Sequence, residues 1–377
     1  MKLIIERANL LAALTACKTA VESRTPIPIL SCVRLVASRS QVDITGTNID
    51  IETTDRAAAH VDRPGALCVN QSELLDLIRR MPDGAEIALE QDGAKLIIRA
   101  GRIKASLLTL EASTFPEMEA GNWSHEFEIP VGELVRMLRA TEFAMSDEET
   151  RYYLCGVFLH AGQRDGASYL GAAATNGHQL SWSRAELPEG AAGMRAVIVP
   201  RQTVSAMIPL LAKRADKNAT EPVTISLNET KIAAAFGTCR LVSKQVDGNY
   251  PDYLRIIPSG QSTFAKLPRR QLELSSSRAA SILTGKSKAI RLTLNGEQED
   301  GLMLTSASDA AEIEDHLNII LEGAPQTIAV NGLYLAAGLG SFTGDDITLA
   351  IADPDTPLLL SDDQDDRHGV VIMPMRG

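Results

Sequence analysis

Aromatic residues are scarce in this chain: seven Phe, six Tyr and two Trp make up 4% of its 377 residues. Cores built from it are expected to be aliphatic, assembled from Leu, Ile, Val and Ala. Cysteine is also rare, and the five that occur (Cys17, Cys32, Cys68, Cys155, Cys239) stand far apart with no C-x-x-C pair. Such a set reads as reduced core thiols and excludes a disulfide framework or a zinc site. No run approaches the roughly 18 apolar residues that cross a bilayer. Lys2, Glu6 and Arg7 interrupt the N-terminal apolar stretch, so no secretory leader is expected and the cytoplasm is the expected location.

The signatures of the common enzyme classes are missing too. There is no G-x-S-x-G elbow and no H-E-x-x-H, and His125-Glu126 lacks its second His. The six histidines, at 60, 125, 160, 178, 316 and 368, are isolated and not at ligand spacing. Thr284-Gly285-Lys286-Ser287 ends like a phosphate-binding loop, but Ala280 stands where its first Gly is required. Gly338 to Gly344 reads G-x-G-x-x-x-G, one residue too long for a dinucleotide fingerprint. No cofactor and no metal are therefore expected. Asp345-Asp346 and the cluster Asp362, Asp363, Asp365 and Asp366 read as solvated loops, because charge runs face solvent. A carboxylate-based hydrolase using them is the enzyme alternative.

What the chain does contain is a repeat. Ala66–Met81, Ala196–Leu211 and Thr327–Phe342 each run from a short apolar strand through a polar break into an amphipathic helix. Their last strand residues, Val69, Val199 and Val330, are 130 and 131 positions apart. Two alternating strands around a turn follow each helix, at Asp92-Gly93, at Asn228-Glu229 and near Asp353-Pro354. Asp-Gly between IALEQ and AKLII is a hairpin signal of type I′. A second set of strand–helix units lies between these. Leu3–Ile5 leads to a helix over 9–21, Phe127–Pro130 to one over 132–145, and Phe264–Pro268 to one over 269–284. Pro130 and Pro268 are placed in the first helical turn, which tolerates a missing N–H.

Six such modules, two per unit, divide the chain into domains 1–121, 122–258 and 259–377. Helices gathered on one face of antiparallel sheet make an α+β layering. Exposed strand edges at the ends of each unit invite edge-to-edge joining, and joints that curve consistently close a ring. Three units do not close alone, whereas two chains supply six.

The net charge of −11 argues against loose adhesion to a polyanion, but its distribution is uneven. The helical stretches 6–24, 72–80, 131–145, 201–217, 266–288 and 331–343 carry +9 between them, leaving −20 to the remainder. If the helices share one surface, that surface attracts phosphates without reading sequence, while the acidic remainder repels them.

The C-terminal run Val370-Val371-Ile372-Met373-Pro374-Met375-Arg376 resembles the terminal signature of the bacterial DNA polymerase III β subunit, the sliding clamp family. Further matching stretches are Arg24–Leu30 (RTPIPIL), Arg151–Leu154 (RYYL), Ala174–Leu180 (ATNGHQL), Val197–Arg201 (VIVPR) and Ser243–Tyr253 (SKQVDGNYPDY). They keep the family's order over nearly the whole chain.

The resemblance implies three tandem repeats of the DNA-clamp fold, with helices lining the inside and antiparallel sheets outside, in a ring-shaped head-to-tail homodimer. It implies a non-catalytic processivity factor that encircles double-stranded DNA regardless of sequence. Its partners would be the DNA polymerase III alpha subunit, a clamp loader and other clamp-binding-motif proteins, with no membrane involved. A paralogue serving partners other than the replicase is the alternative within the family.

Carried over residue by residue, the DNA-facing positions are Arg24, Lys104, Arg136, Tyr153 and Arg201. Those of an apolar partner-peptide pocket between the second and third domains are Leu154, Thr175, Gly177, His178, Leu180, Pro251, Arg255, Ile256, Val371, Met373, Pro374, Met375 and Arg376. Those of the dimer joint are Leu107 in the first domain, against Ile282 and Leu283 in the third. This chain departs from the family at Ser72, Glu73 and Gln202, where basic residues are common. It departs also at Ala105 for an aromatic, at Asn176 for Asp and at Gln179 for Arg.

Overall fold

The computed structural model describes every residue except 23, 120, 284–287, 296–300, 309–310 and 376–377. The Thr284-Gly285-Lys286-Ser287 motif and the pocket position Arg376 lie outside the described residues. Helices form where the repeat places them: α1 (Arg7–Cys17), α2 (Gln71–Arg79), α3 (Val131–Glu142), α4 (Arg201–Ala215), α5 (Arg269–Ser281) and α6 (Gly332–Gly340). Two of the repeat's polar breaks are N-caps. The Asn70 side chain accepts from Glu73 N at 3.1 Å, and that of Asn331 accepts from Leu333 N at 3.0 Å, each satisfying an orphan donor of the first turn.

Two local expectations shift. Pro130 and Pro268 do not enter the first helical turn; each closes the preceding strand, opposite Pro222 and Asp346 respectively. A φ locked near −65° suits an extended residue as well as a helical one. The 92–95 hairpin pairs Asp92 with Lys95 around Gly93 and Ala94, and of these two only Gly93 has positive φ, at +58°. Positive φ at the first central residue alone is the II′ pattern, not I′.

Packing divides the chain into two compact units, one of Met1–Gly132 with Ser205–Gln245, the other of Glu133–Val204 with Val246–Gly377. The central stretch read from the sequence therefore contributes to both.

The first unit is built on a 13-stranded antiparallel sheet. Its order runs His125–Pro130, Pro222–Leu227, Lys231–Phe236, Cys239–Lys244, Ile51–Ala58, Gln41–Thr47, Cys32–Ser38, Gly65–Asn70, Ile103–Leu110, Lys95–Ala100, Glu86–Asp92, Lys2–Glu6, His60–Arg63. Helices α1 and α2 pack against each other and the sheet around Leu10, Leu14, Leu35, Ile44, Leu74 and Ile78. Strand burial alternates, as half-buried antiparallel strands require.

The second unit holds a nine-stranded sheet ordered Val197–Pro200, Gly156–Arg164, Ala167–Thr175, Gln179–Glu186, Asp365–Ile372, Leu358–Asp362, Asp346–Ile351, Thr263–Pro268, Ile320–Glu322. A four-stranded sheet follows the order Glu312–Leu317, Leu302–Ala307, Ala289–Leu294, Gln326–Asn331. Helices α5 and α6 pack closely, and glycine is needed where they meet. A Cβ on Gly332 would stand 2.9 Å from Ile290 Cγ2 and 3.4 Å from Ala280 Cβ.

Candidate functional site

The repeat generates a recurring joint between its copies. In the first unit Ile51–Ala58 pairs with Cys239–Lys244; in the second, Gln179–Glu186 pairs with Asp365–Ile372. The same turn leads into both joints. Asn48 Oδ1 accepts from Asp50 N and Ile51 N while Ile49 N donates to Thr47 Oγ1. Asn176 Oδ1 likewise accepts from His178 N and Gln179 N while Gly177 N donates to Thr175 Oγ1. In both, the threonine hydroxyl closes the turn by donating to the carbonyl four residues on. Lys244 N then donates to Asp50 O, and Met373 N to His178 O, both at 2.9 Å. Asn176 thus supplies the acceptor an Asp would supply, so this departure from the family leaves the turn intact.

Most of the apolar pocket positions gather at this second joint. Leu180 and Val371 face one another across the ladder and pack with Trp182 and Tyr253. Thr175, Gly177 and His178 form the turn, and Met373 is tied to it. Gly177 (φ +88°) leaves room for Arg151, whose Nη1 lies 2.9 Å from where a Cβ would stand. Arg151 belongs to the 3₁₀ turn Glu149–Leu154 that ends on buried Leu154. Tyr253 opens the 3₁₀ turn Tyr253–Ile256, which leaves Leu254, Arg255 and Ile256 exposed. Pro251 is half-buried just before it, and Arg255 pairs with Asp252 at 2.8 Å. Met373, Ile256, Leu254 and Tyr152 are exposed large apolar side chains. Beyond Met373 the main chain runs along the strand Gln326–Asn331: Pro374 bridges to Val330, and Met375 N donates to Ala329 O at 2.7 Å. Buried Gln179 points from the opposite strand face and donates Nε2–H to Phe143 O at 3.2 Å.

Sequence reasoning missed the aromatic floor. Phe158 stacks on Tyr250 at 4.6 Å, and Tyr253 Oη lies 2.9 Å from His160 Nε2. Burial lowers the His160 pKa and raises that of Tyr253, so both stay neutral near pH 7. The clustering of Tyr250 and Tyr253 in an aromatic-poor chain was the available signal.

The DNA-facing candidates differ in how free they are. Arg24 and Lys104 are exposed. Tyr153 and Arg201 are half-buried near one another, since Arg201 N donates to Cys155 O and its Nη2 donates to Met145 O at 2.9 Å. Arg136 is spent inside the fold: it donates to Ser183 Oγ (2.9 Å), Arg184 O (2.5 Å) and Glu133 Oε2 (2.9 Å). Much of the positive charge of the 266–288 stretch is also paired: Lys266 with Asp363, Arg269 with Glu273, Arg278 with Asp315. These pairs also occupy part of the acidic cluster, and Asp365 is held by Arg367. No cluster of metal-binding side chains occurs among the described residues.

At the dimer joint implied by the resemblance, neighbouring leucines differ in burial. Leu107 packs toward its own core, whereas Leu108 on the same strand is 74% exposed. Leu283 is buried, Ile282 half-buried, and Leu283 lines a cavity of about 730 Å³ with Ile290, Ile313 and Glu312. The strand edges left open among the described residues include two at this joint. Glu312–Leu317 pairs on one side only, and Ile103–Leu110 meets Gly65–Asn70 only at Thr109 and Leu110.

Family models for the N-terminal, central and C-terminal domains of the DNA polymerase III beta subunit match residues 1–119, 128–252 and 254–376. The beta sliding clamp of Caulobacter vibrioides is 35% identical over 379 residues, and that of Escherichia coli 28% over 378, each alignment covering 100% of both chains. A crystal structure of the Caulobacter crescentus clamp superposes with a TM-score of 0.91 at 34% identity. A Bartonella birtlesii clamp bound to griselimycin superposes at 0.94 with 31% identity; both cover 100% of each chain. The repeat of strand–helix modules, the joints between its copies and these full-length matches agree, and the chain belongs to the DNA polymerase III beta subunit family, the bacterial sliding clamps.

Proposed function

We infer that this sliding clamp acts as a head-to-tail homodimeric ring around duplex DNA, a processivity factor without catalytic chemistry of its own. One observation carries the assembly. Two of the three joints the repeat calls for are made within the chain, and both strands of the third are left open. By the pattern of the other two, Glu312–Leu317 of one protomer pairs with Ile103–Leu110 of its partner. Arg102, in the turn just before the second strand, and Lys104 on it complement Glu312 and Glu314 on the first, and the cavity beside Leu283 receives apolar side chains from the incoming edge. An open apolar edge favours such pairing over exposure.

A closed ring cannot leave DNA sideways, so weak, sequence-independent contacts from Arg24, Lys104, Tyr153 and Arg201 suffice for retention. Partners bearing a short apolar motif, the polymerase alpha subunit and the clamp loader among them, dock at the joint of Leu180, Val371, His178 and Met373. Tethering there raises the polymerase's effective concentration at its template.

Sedimentation and retention on DNA test the reading together. The protein is expected to sediment as a dimer, to remain on closed circles once loaded, and to run off after linearisation. Charged replacements at Ile282 and Leu108 are expected to give monomers with no retention. A monomeric wild type, or equal retention on circles and linear ends, would sink it.

A further inference from the structure

Arg136 does something other than meet DNA. Its guanidinium reaches Ser183 Oγ and Arg184 O on the strand Gln179–Glu186, and Glu133 on its own helix. Glu133 also lies 3.6 Å from Arg367 of the facing strand, and Arg367 is held by both oxygens of Asp365 at 2.8 and 2.9 Å. One residue further, buried His368 places Nδ1 2.7 Å from Trp182 O and Nε2 2.8 Å from Ser341 Oγ, with its ring 4.2 Å from Phe342. Asp362, Asp365 and Arg136 line the small cleft beside that ring.

Four elements converge here: α3, both strands of the joint, and the end of α6. The ladder of this joint runs from Ser183–His368 at the stapled end to Gln179–Ile372 beside the pocket turn. All the charged cross-links lie at the first end; the second is left to Leu180, Val371 and Met373. Because ladder partners move together, register set at one end positions side chains at the other.

We propose that Glu133, Arg136, Arg367 and His368 form a polar staple that positions the partner pocket from outside it, with Arg136 a positioning residue and not a phosphate ligand. The proposal rests on the pocket reading above. A planar, multidentate guanidinium suits such a post and an ammonium does not. Pinning the far end with hydrogen bonds leaves the pocket end apolar and open, where a charged pair would fill it.

Titration of griselimycin, which relatives are known to bind, into the dimer reads the effect by calorimetry. Glu133→Gln and Arg367→Met are expected to weaken binding several-fold. Arg136→Met is expected to weaken it about tenfold, with no rescue by Arg136→Lys. A clamp destabilised elsewhere, Leu35→Ala in the first unit, is the control and should bind as wild type. Wild-type affinity in the staple variants would overturn the proposal. So would a fall of about one in the logarithmic salt slope of DNA retention for Arg136→Met, the mark of a lost phosphate contact. Failure of the wild-type clamp to bind griselimycin while Leu180→Ala is equally inert would instead refute the pocket itself.

Discussion

The two joints within the chain share a turn, a ladder and a main-chain tie, yet one is closed and the other open. Glu52 in the first unit stands where Leu180 stands in the second, four residues after the capping asparagine. Its carboxylate accepts Met118 N at 3.1 Å and is half-buried near Arg34, itself paired with Glu117 and stacked over Phe115. Lys244, in the place of Met373, reaches Asp50 at 2.8 Å. The polar groups of the first joint thus satisfy one another at the turn. Apart from the hydrogen bonds of the turn itself and the Arg151–Glu148 pair beside Gly177, those of the second lie at the far end, and exposed apolar side chains flank the turn. A repeated backbone thus supplies a potential site at every joint, and a few side chains distinguish the open turn from the closed one.

Transplanting the closed joint's residue into the open one should have the largest effect. Leu180→Glu buries an unpaired carboxylate among Trp182, Tyr253 and Val371. It is expected to reduce griselimycin binding by about a hundredfold and cost about 3 kcal/mol of stability, read by calorimetry and by urea melts.

Acidification should separate the joints by sign. Burial lowers the His368 pKa to about 4 from an ordinary 6.5. Its contribution is therefore complete above pH 6.5 and lost as the pH falls toward 4, up to about 3 kcal/mol. Burial raises the Glu52 pKa, so that group stabilises the fold increasingly as the pH drops through its raised value. Urea melts across this range should show net loss in the wild type and a much shallower slope in His368→Gln.

Opening the closed joint is a smaller step. Glu52→Leu leaves Met118 N without its acceptor and should lose about 1–2 kcal/mol, measured at neutral pH. A gain in stability would show the carboxylate to be a burden there.

The smallest test exchanges backbone strain. Ile49 holds φ +71° where its counterpart Gly177 holds +88°. Ile49→Gly should raise stability by up to about 1 kcal/mol, and Gly177→Ala should lower it by at least as much, since its Cβ would also crowd Arg151.

Much of this was readable in the residues alone. Periodicity, the asparagine breaks and the 130-residue spacing located the helices and the threefold repeat, because burial patterns and caps are local. The resemblance carried by the Gly-His turn and the C-terminal Met-Pro-Met implied the pocket that the second joint is proposed to form. Sequence could not reveal that Arg136, Arg269 and Arg278 are held by internal partners, since a charge count is blind to pairing, even across more than forty residues of chain as between Arg136 and Ser183. Nor could it assign Leu107 to the core and Leu108 to the surface, which depends on strand phase against a particular sheet. Local chemistry determined the modules. Which edges met, which stayed open and which charges remained free were decided only when distant strands paired, because register and burial are properties of the assembled sheet.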